Sequence, residues 1–195
     1  FEIPESWPIY SGHDFGSANP AALFLAKVKL PLPAGAPARM RYGDIVIWWE
    51  HLPGKGQSTA LNVDAYKLIV KGKTVTASAG GSHQEEGSRG DYAKSGWRIQ
   101  EPPIGAEGGP SLKRQVDRVV AIEESGKLFV FDDMVYLLEE MMSCAWKYDR
   151  EGNRTNEIAG EARYHLFACL RYVLSLSDFM PETVSVGEFS PVWKY

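Results

Sequence analysis

The side chains of this chain best suited to chemistry are a few separated acids and one histidine. Asp14 ends an apolar run, Ile9-Tyr10-Ser11-Gly12-His13-Asp14, and a turn built from Gly16, Asn19 and Pro20 leads into a second apolar run, Ala21 to Val28. This reads as a hairpin with a carboxylate at the end of a buried strand. A carboxylate there is costly unless it meets a cation or hydrogen-bond donors, and a metal ion is the simplest cation. The plainer alternative is that Asp14 only caps the turn. Glu85 and Glu86 lie in a glycine- and acid-rich loop from Gly80 to Arg89. Glu161 and His165 are four residues apart in an apolar stretch read as a last helix, roughly Ile158 to Leu176, which puts them on one face. The alternative there is a core histidine satisfied by Glu161.

The elements that must position these groups follow from the apolar pattern. Met40 to Leu52, with Ile45-Val46-Ile47-Trp48-Trp49, has strand composition. Ser58 or Thr59 caps a helix with Leu61, Ala65, Leu68 and Ile69 on its inner face. Lys73 to Ala77 reads as a strand, Asp91 to Ser95 as a helical turn, and Trp97 to Gln100 as a further strand. Ser111 opens a helix with Leu112, Val116, Val119 and Val120 inward. Lys127 to Phe131 is a strand, and Asp132 or Asp133 caps a helix to about Trp146. Lys147 to Glu157 is a polar loop. Strands alternating with helices make an α/β domain with a mixed sheet. Residues 1–177 form that domain, and 178–195 an extended tail or linker.

Composition narrows the classes. The chain has 195 residues, a net charge of −4 and an apolar fraction of 44%, which suits one globular domain without a cationic coat. It has no run of apolar residues long enough for a transmembrane helix. Cys144 and Cys169 read as small buried residues in a reducing compartment. The chain starts at Phe1 rather than Met, as a piece of something longer would. Lys113, Arg114 and Arg118, with Arg89, Lys94 and Arg98, could line a phosphate-tracking groove or form solvated helix faces. Trp48-Trp49 could stack on bases but in a strand reads as core. Glu139-Glu140 reads as a surface pair.

Tyr164-His165-Leu166-Phe167-Ala168-Cys169-Leu170-Arg171-Tyr172 resembles the C-terminal signature of the nuclease domain of large terminase subunits, the DNA-packaging motors of tailed phages. Asp14 to Ala21 resembles that family's first strand and turn. Gly80 to Glu86, Ala93 to Trp97, Pro102-Pro103-Ile104, and Arg118-Val119 before the Lys127 to Phe131 strand resemble its middle. The likeness runs from residue 8 to residue 175.

The resemblance implies a ribonuclease H-like fold: a mixed β-sheet flanked by helices. It implies a metal-dependent endonuclease that cuts double-stranded, concatemeric viral DNA with two divalent ions, Mg²⁺ or Mn²⁺. One ion would activate water and the other hold the leaving oxygen, about 4 Å apart, and such hard cations prefer carboxylates. Asp14 would be the central ligand, Glu85 or Glu86 would complete the site, and His165 would assist. It also implies an ATPase domain in the same full-length protein, a portal and a small terminase subunit as partners, and the cytoplasm of the infected host as the place of action. No loop ending in Gly-Lys-Ser/Thr, which would mark the ATPase half, occurs here.

The chain departs from the pattern at two places. The family's second acid falls just after the Lys73 to Ala77 strand, where this chain has Ser78, Ala79 and two glycines, with Glu85 and Glu86 the nearest acids. The family's last-helix Asp falls three residues after the His, where this chain has Ala168. The chain is inert by nature, or an Asp has been replaced, or Glu161 reaches in from one turn earlier. The undamaged remainder of the motif favours replacement. A non-catalytic module of the same fold, gripping DNA or docking to a motor or portal, is the alternative. A kinase-like phosphate site is a third reading, disfavoured by the missing ATP loop.

Overall fold

A computed structural model describes residues 1–16, 19–81, 83–103 and 112–179. Its centre is a five-stranded sheet in the order β4-β1-β2-β3-β5. The strands are β1 (Ile9–Asp14), β2 (Ala21–Lys27), β3 (Ile45–His51), β4 (Val75–Gly80) and β5 (Leu128–Val130). β1, β2 and β3 are antiparallel neighbours, while β4 runs parallel to β1 and β5 parallel to β3. The mixed, helix-flanked sheet expected from the sequence is therefore present. β2 is buried on both faces, so it reads as a continuous apolar run rather than an alternating one.

Helices cover each face. α1 (Thr59–Ile69) and α2 (Glu86–Lys94) lie with the core of Phe24, Trp7, Tyr66 and Trp97. α3 (Leu112–Glu124), α4 (Val135–Ser143) and α5 (His165–Leu174) lie with the core of Leu23, Leu25, Leu137 and Leu170. Register sorts the sheet between these layers: Leu23 and Leu25 face α5, while Ala22 and Phe24 face α1.

Several sequence expectations are corrected. Ser58 caps α1 as expected, its hydroxyl accepting from the Leu61 amide at 3.3 Å. The buried face of α1 is Asn62, Val63 and Tyr66, however, and Leu61 and Leu68 are exposed. Tyr66 wins because it enters an aromatic cluster with Phe24, Tyr92 and Trp97. Val120 is likewise exposed while Val116 and Val119 are buried. The expected Trp97–Gln100 strand is a single bridge from Gln100 to Ala79. The expected polar loop holds a hairpin of β6 (Trp146–Tyr148) and β7 (Arg154–Ile158).

The last helix starts at His165, not at Ile158. Gly160 takes a left-handed φ of 66° and stops β7, and a 3₁₀ turn, Glu161–Arg163, intervenes. The 3₁₀ turn Ser177–Phe179 packs on the sheet: Phe179 stacks edge-on against Tyr10, and the Tyr10 hydroxyl donates to Asp178 at 2.6 Å. The expected cap Ser111 and the expected tail from residue 180 onward lie outside the described residues.

Candidate active site

β1 and α5 meet at unusually short range. Gly12 makes this possible, because a Cβ at that position would overlap the Cys169 carbonyl of α5. The approach brings the first residue of α5 to the last residue of β1. His165 Nδ1 and Asp14 Oδ2 are 2.7 Å apart, and both side chains are about four-fifths buried. Asp14 thus has a partner beyond the turn, and His165 is satisfied by Asp14 rather than by Glu161.

Glu140 of α4 fixes the start of α5. Its Oε2 accepts from the Phe167 amide at 2.7 Å, and its charge also meets the amides of His165 and Leu166. A carboxylate on the free amides of a helix N-terminus is favourable. Burial nevertheless pushes the Glu140 carboxyl up to about 7, against the opposing pull of those amides and of His165. Glu140 is therefore a partly buried anchor rather than half of a surface pair. Its spacing on an amphipathic helix carries no signal that separates it from Glu139.

Beside β1, β4 ends at Gly80, and the chain turns at Gly81 with a φ of 72°. A Cβ at Gly81 would stand 2.6 Å from the Phe15 ring and 3.1 Å from Glu85 Oε2. The Glu85 carboxylate is thereby folded back over the strand end, next to the segment that follows Asp14. A 3₁₀ turn, His83–Glu85, and then α2 carry it, where the sequence suggested an open loop. Tyr172, two turns along α5 from His165, senses both acids. Burial holds its hydroxyl up at about 12, with Asp14 and Glu85 adding to the rise and Arg171 opposing it. His165, Ala168 and Tyr172 follow the helical repeat along the α5 face that meets β1. Ala168, itself buried, occupies the turn between the two polar side chains.

The structure separates other expected residues from this group. Glu161 does not share a helix with His165. Its Oε1 accepts from Arg171 Nη2 at 3.0 Å, and Arg171 also donates to Gln115 at 2.9 Å. Glu161 thus partners a buried guanidinium. Glu86 is exposed in the first turn of α2. Arg89 is buried, donates to the Gly80 carbonyl at 3.2 Å and lies 3.6 Å from Glu101. Lys94 pairs with Asp91 at 3.0 Å, and Lys113 pairs with Asp117. Arg118 donates to the last-turn carbonyl of Leu174 at 3.1 Å. Arg114 and Arg98 are exposed. The cations of α2 and α3 lie on opposite faces of the sheet, so they form no single stripe.

Among the described residues, no three His, Cys, Asp or Glu side chains stand close enough to enclose a metal ion by themselves. A small hard cation needs less than that. Mg²⁺ keeps several waters and is commonly held by one or two carboxylates together with substrate phosphate. Asp14, with Glu85 at the neighbouring strand end, could supply carboxylates of that kind.

No protein-family model and no curated protein sequence matches the chain. Solved structures do share its fold. The nuclease domain of the P22 large terminase aligns with a TM-score of 0.62 and 17% identity, over 88% of this chain and 82% of that one. The large terminase (g2p) nuclease domain of bacteriophage SPP1, solved with bound Mn, gives a TM-score of 0.60 and 14% identity over 86% and 85% of the two chains. The large terminase of bacteriophage HK97 gives 0.59 and 13% over 89% of this chain. This chain spans 40% of the length of that terminase. The chain has the ribonuclease H-like fold of the nuclease domains of phage large terminases.

Proposed function

We propose that the chain is the nuclease domain of a DNA-packaging large terminase, a phosphodiester hydrolase acting on double-stranded viral DNA. The observation that carries this is the Asp14–His165 pair at 2.7 Å, set at the carboxyl end of β1 in that fold. Asp14 and Glu85 would hold a divalent ion, Mg²⁺ or Mn²⁺, which neutralises phosphate charge and lowers the pKa of bound water when present. With Asp14 accepting from Nδ1–H, Nε2 is the nitrogen of the His165 ring left to accept a proton. In hydrolysis that atom would take the proton of the attacking water and pass it to solvent, while solvent water protonates the leaving 3′ oxygen on the opposite side of the phosphorus. Tyr172, whose hydroxyl burial holds up at about 12, would stand as a protonated hydroxyl near the two acids. The described residues provide no third carboxylate here, so this reading is for one ion where the family resemblance implies two.

The partners follow from the same reading. An ATPase domain of the same full-length protein, a portal and a small terminase subunit would surround this domain in the cytoplasm of the infected host. One observation favours the non-catalytic alternative, in which the domain grips DNA or docks to the motor without cutting. Ala168 puts a methyl group on the α5 face between His165 and Tyr172, where the likeness calls for a carboxylate.

Nicking of supercoiled plasmid with Mn²⁺ tests the proposal, for the chain as it stands and for Ala168→Asp. The proposal expects slow nicking by the chain and at least about tenfold faster nicking by Ala168→Asp, the scale of one added transition-state contact. Absence of cutting by both moves the non-catalytic module ahead.

A further inference from the structure

β3 runs on past its pairing with β5. Ile45, Val46 and Ile47 pair with Leu128, Phe129 and Val130, whereas Trp49, Glu50 and His51 pair only with β2 among the described residues. α4 begins beside that stretch. Its N-cap residue, Met134, makes no side-chain cap, and Glu50 accepts from the amides of Tyr136 at 3.1 Å and Leu137 at 2.8 Å. Asp132 and Asp133, expected as caps, are left at the surface. Strand and helix enclose an open groove of about 340 Å³, lined by Trp49, Glu50, Leu52, Asp133, Met134 and Tyr136. Asp14 pairs with Ala21 and His51 with Ala22, so the groove opens at the same end of the sheet as the candidate active site.

The lining is aromatic and acidic. Trp49 is 45% exposed, Tyr136 60% and the adjoining Val135 59%, a cluster of large apolar side chains of the kind that marks an interaction site. The charged residues in the lining are two acids, with no lysine or arginine. Glu50 is occupied by the positive end of α4, which leaves the Asp132 and Asp133 charges at the rim. Such a surface repels DNA phosphates and anionic membranes alike. It complements a guanidinium, which stacks on aromatic faces and forks onto a carboxylate.

We propose that this groove docks an arginine-bearing segment of another protein, with Trp49 and Tyr136 receiving the guanidinium face and Asp133 pairing with its edge. The partner would then stand at the same end of the sheet as Asp14. The proposal does not depend on catalysis.

The test is a titration of the whole chain with the peptide acetyl-Leu-Arg-Leu-amide, followed by NMR at the Trp49 indole and the Tyr136 and Leu137 amides. A second titration uses the same peptide with citrulline, the neutral isostere. The expected result is saturable shifts at those signals in the millimolar range. Binding should be about two- to five-fold weaker with citrulline, the scale of one exposed cation–π contact, and weaker by a similar factor in Asp133→Asn, the scale of one exposed ion pair. Asp14→Asn should leave it unchanged. No shift at those signals, equal binding of the citrulline peptide, or a stronger response to a double-stranded oligonucleotide would overturn the proposal.

Discussion

At the scale of single residues, the site depends on which acid has which partner. Glu140 is the least comfortable of them, because it anchors α5 from a partly buried position. Its carboxyl rises from an ordinary 4.5 to about 7 on folding, chiefly through burial. Between those values the folded protein keeps a proton that the unfolded chain releases, so stability falls as pH rises from 4.5 to about 7. Glu140→Gln keeps an acceptor for the Phe167 amide and removes the titration. Urea denaturation should show the native chain losing about 1–3 kcal/mol relative to Glu140→Gln between about pH 5 and about pH 8. An identical pH slope in both proteins would place that titration elsewhere. Glu161 provides the opposite control. Its partner is Arg171, so Glu161→Gln should cost about 1 kcal/mol of stability while leaving any Mn²⁺-induced rise in melting temperature intact. Loss of that rise would restore Glu161 as a ligand.

At the scale of elements, one glycine sets the spacing between strand and helix. Gly12→Ala forces β1 away from the Cys169 carbonyl. We expect a loss of more than about 2 kcal/mol in denaturant melts, together with a weakened His165–Asp14 contact visible in the His165 ring signals. Much of this layer was legible in the sequence. The run Ala21 to Val28 is almost continuously apolar because β2 is central and covered on both faces, and β1 is as deeply buried although it carries Ser11 and His13. The Ser58 cap is a local signal and was readable for that reason. What escaped was decided by distant partners. The inner face of α1 follows Tyr66 into an aromatic cluster rather than the leucines of the helix itself. The cap of α4 comes from Glu50, 86 residues away from Tyr136 in the chain. β6 and β7 are short, mostly exposed strands with almost no apolar pattern to reveal them.

At the scale of the whole molecule, the sheet delivers Asp14 and Glu85 to one end through two parallel neighbours, and α5 delivers His165 and Tyr172 to the same place. The sequence pointed to Asp14 and His165 individually. Only the tertiary approach at Gly12 makes them a pair, and only the Gly81 turn sets Glu85 beside them in place of Glu86. We propose that a hard divalent ion binds at this junction and needs Asp14 to do so. Paramagnetic broadening by substoichiometric Mn²⁺ tests it most directly. Selective broadening of the Gly16, Gly81, His165 and Tyr172 signals is expected in the native chain, and its loss in Asp14→Asn. Broadening centred on the Asp132–Asp133 rim, or broadening at the junction that survives Asp14→Asn, would contradict it.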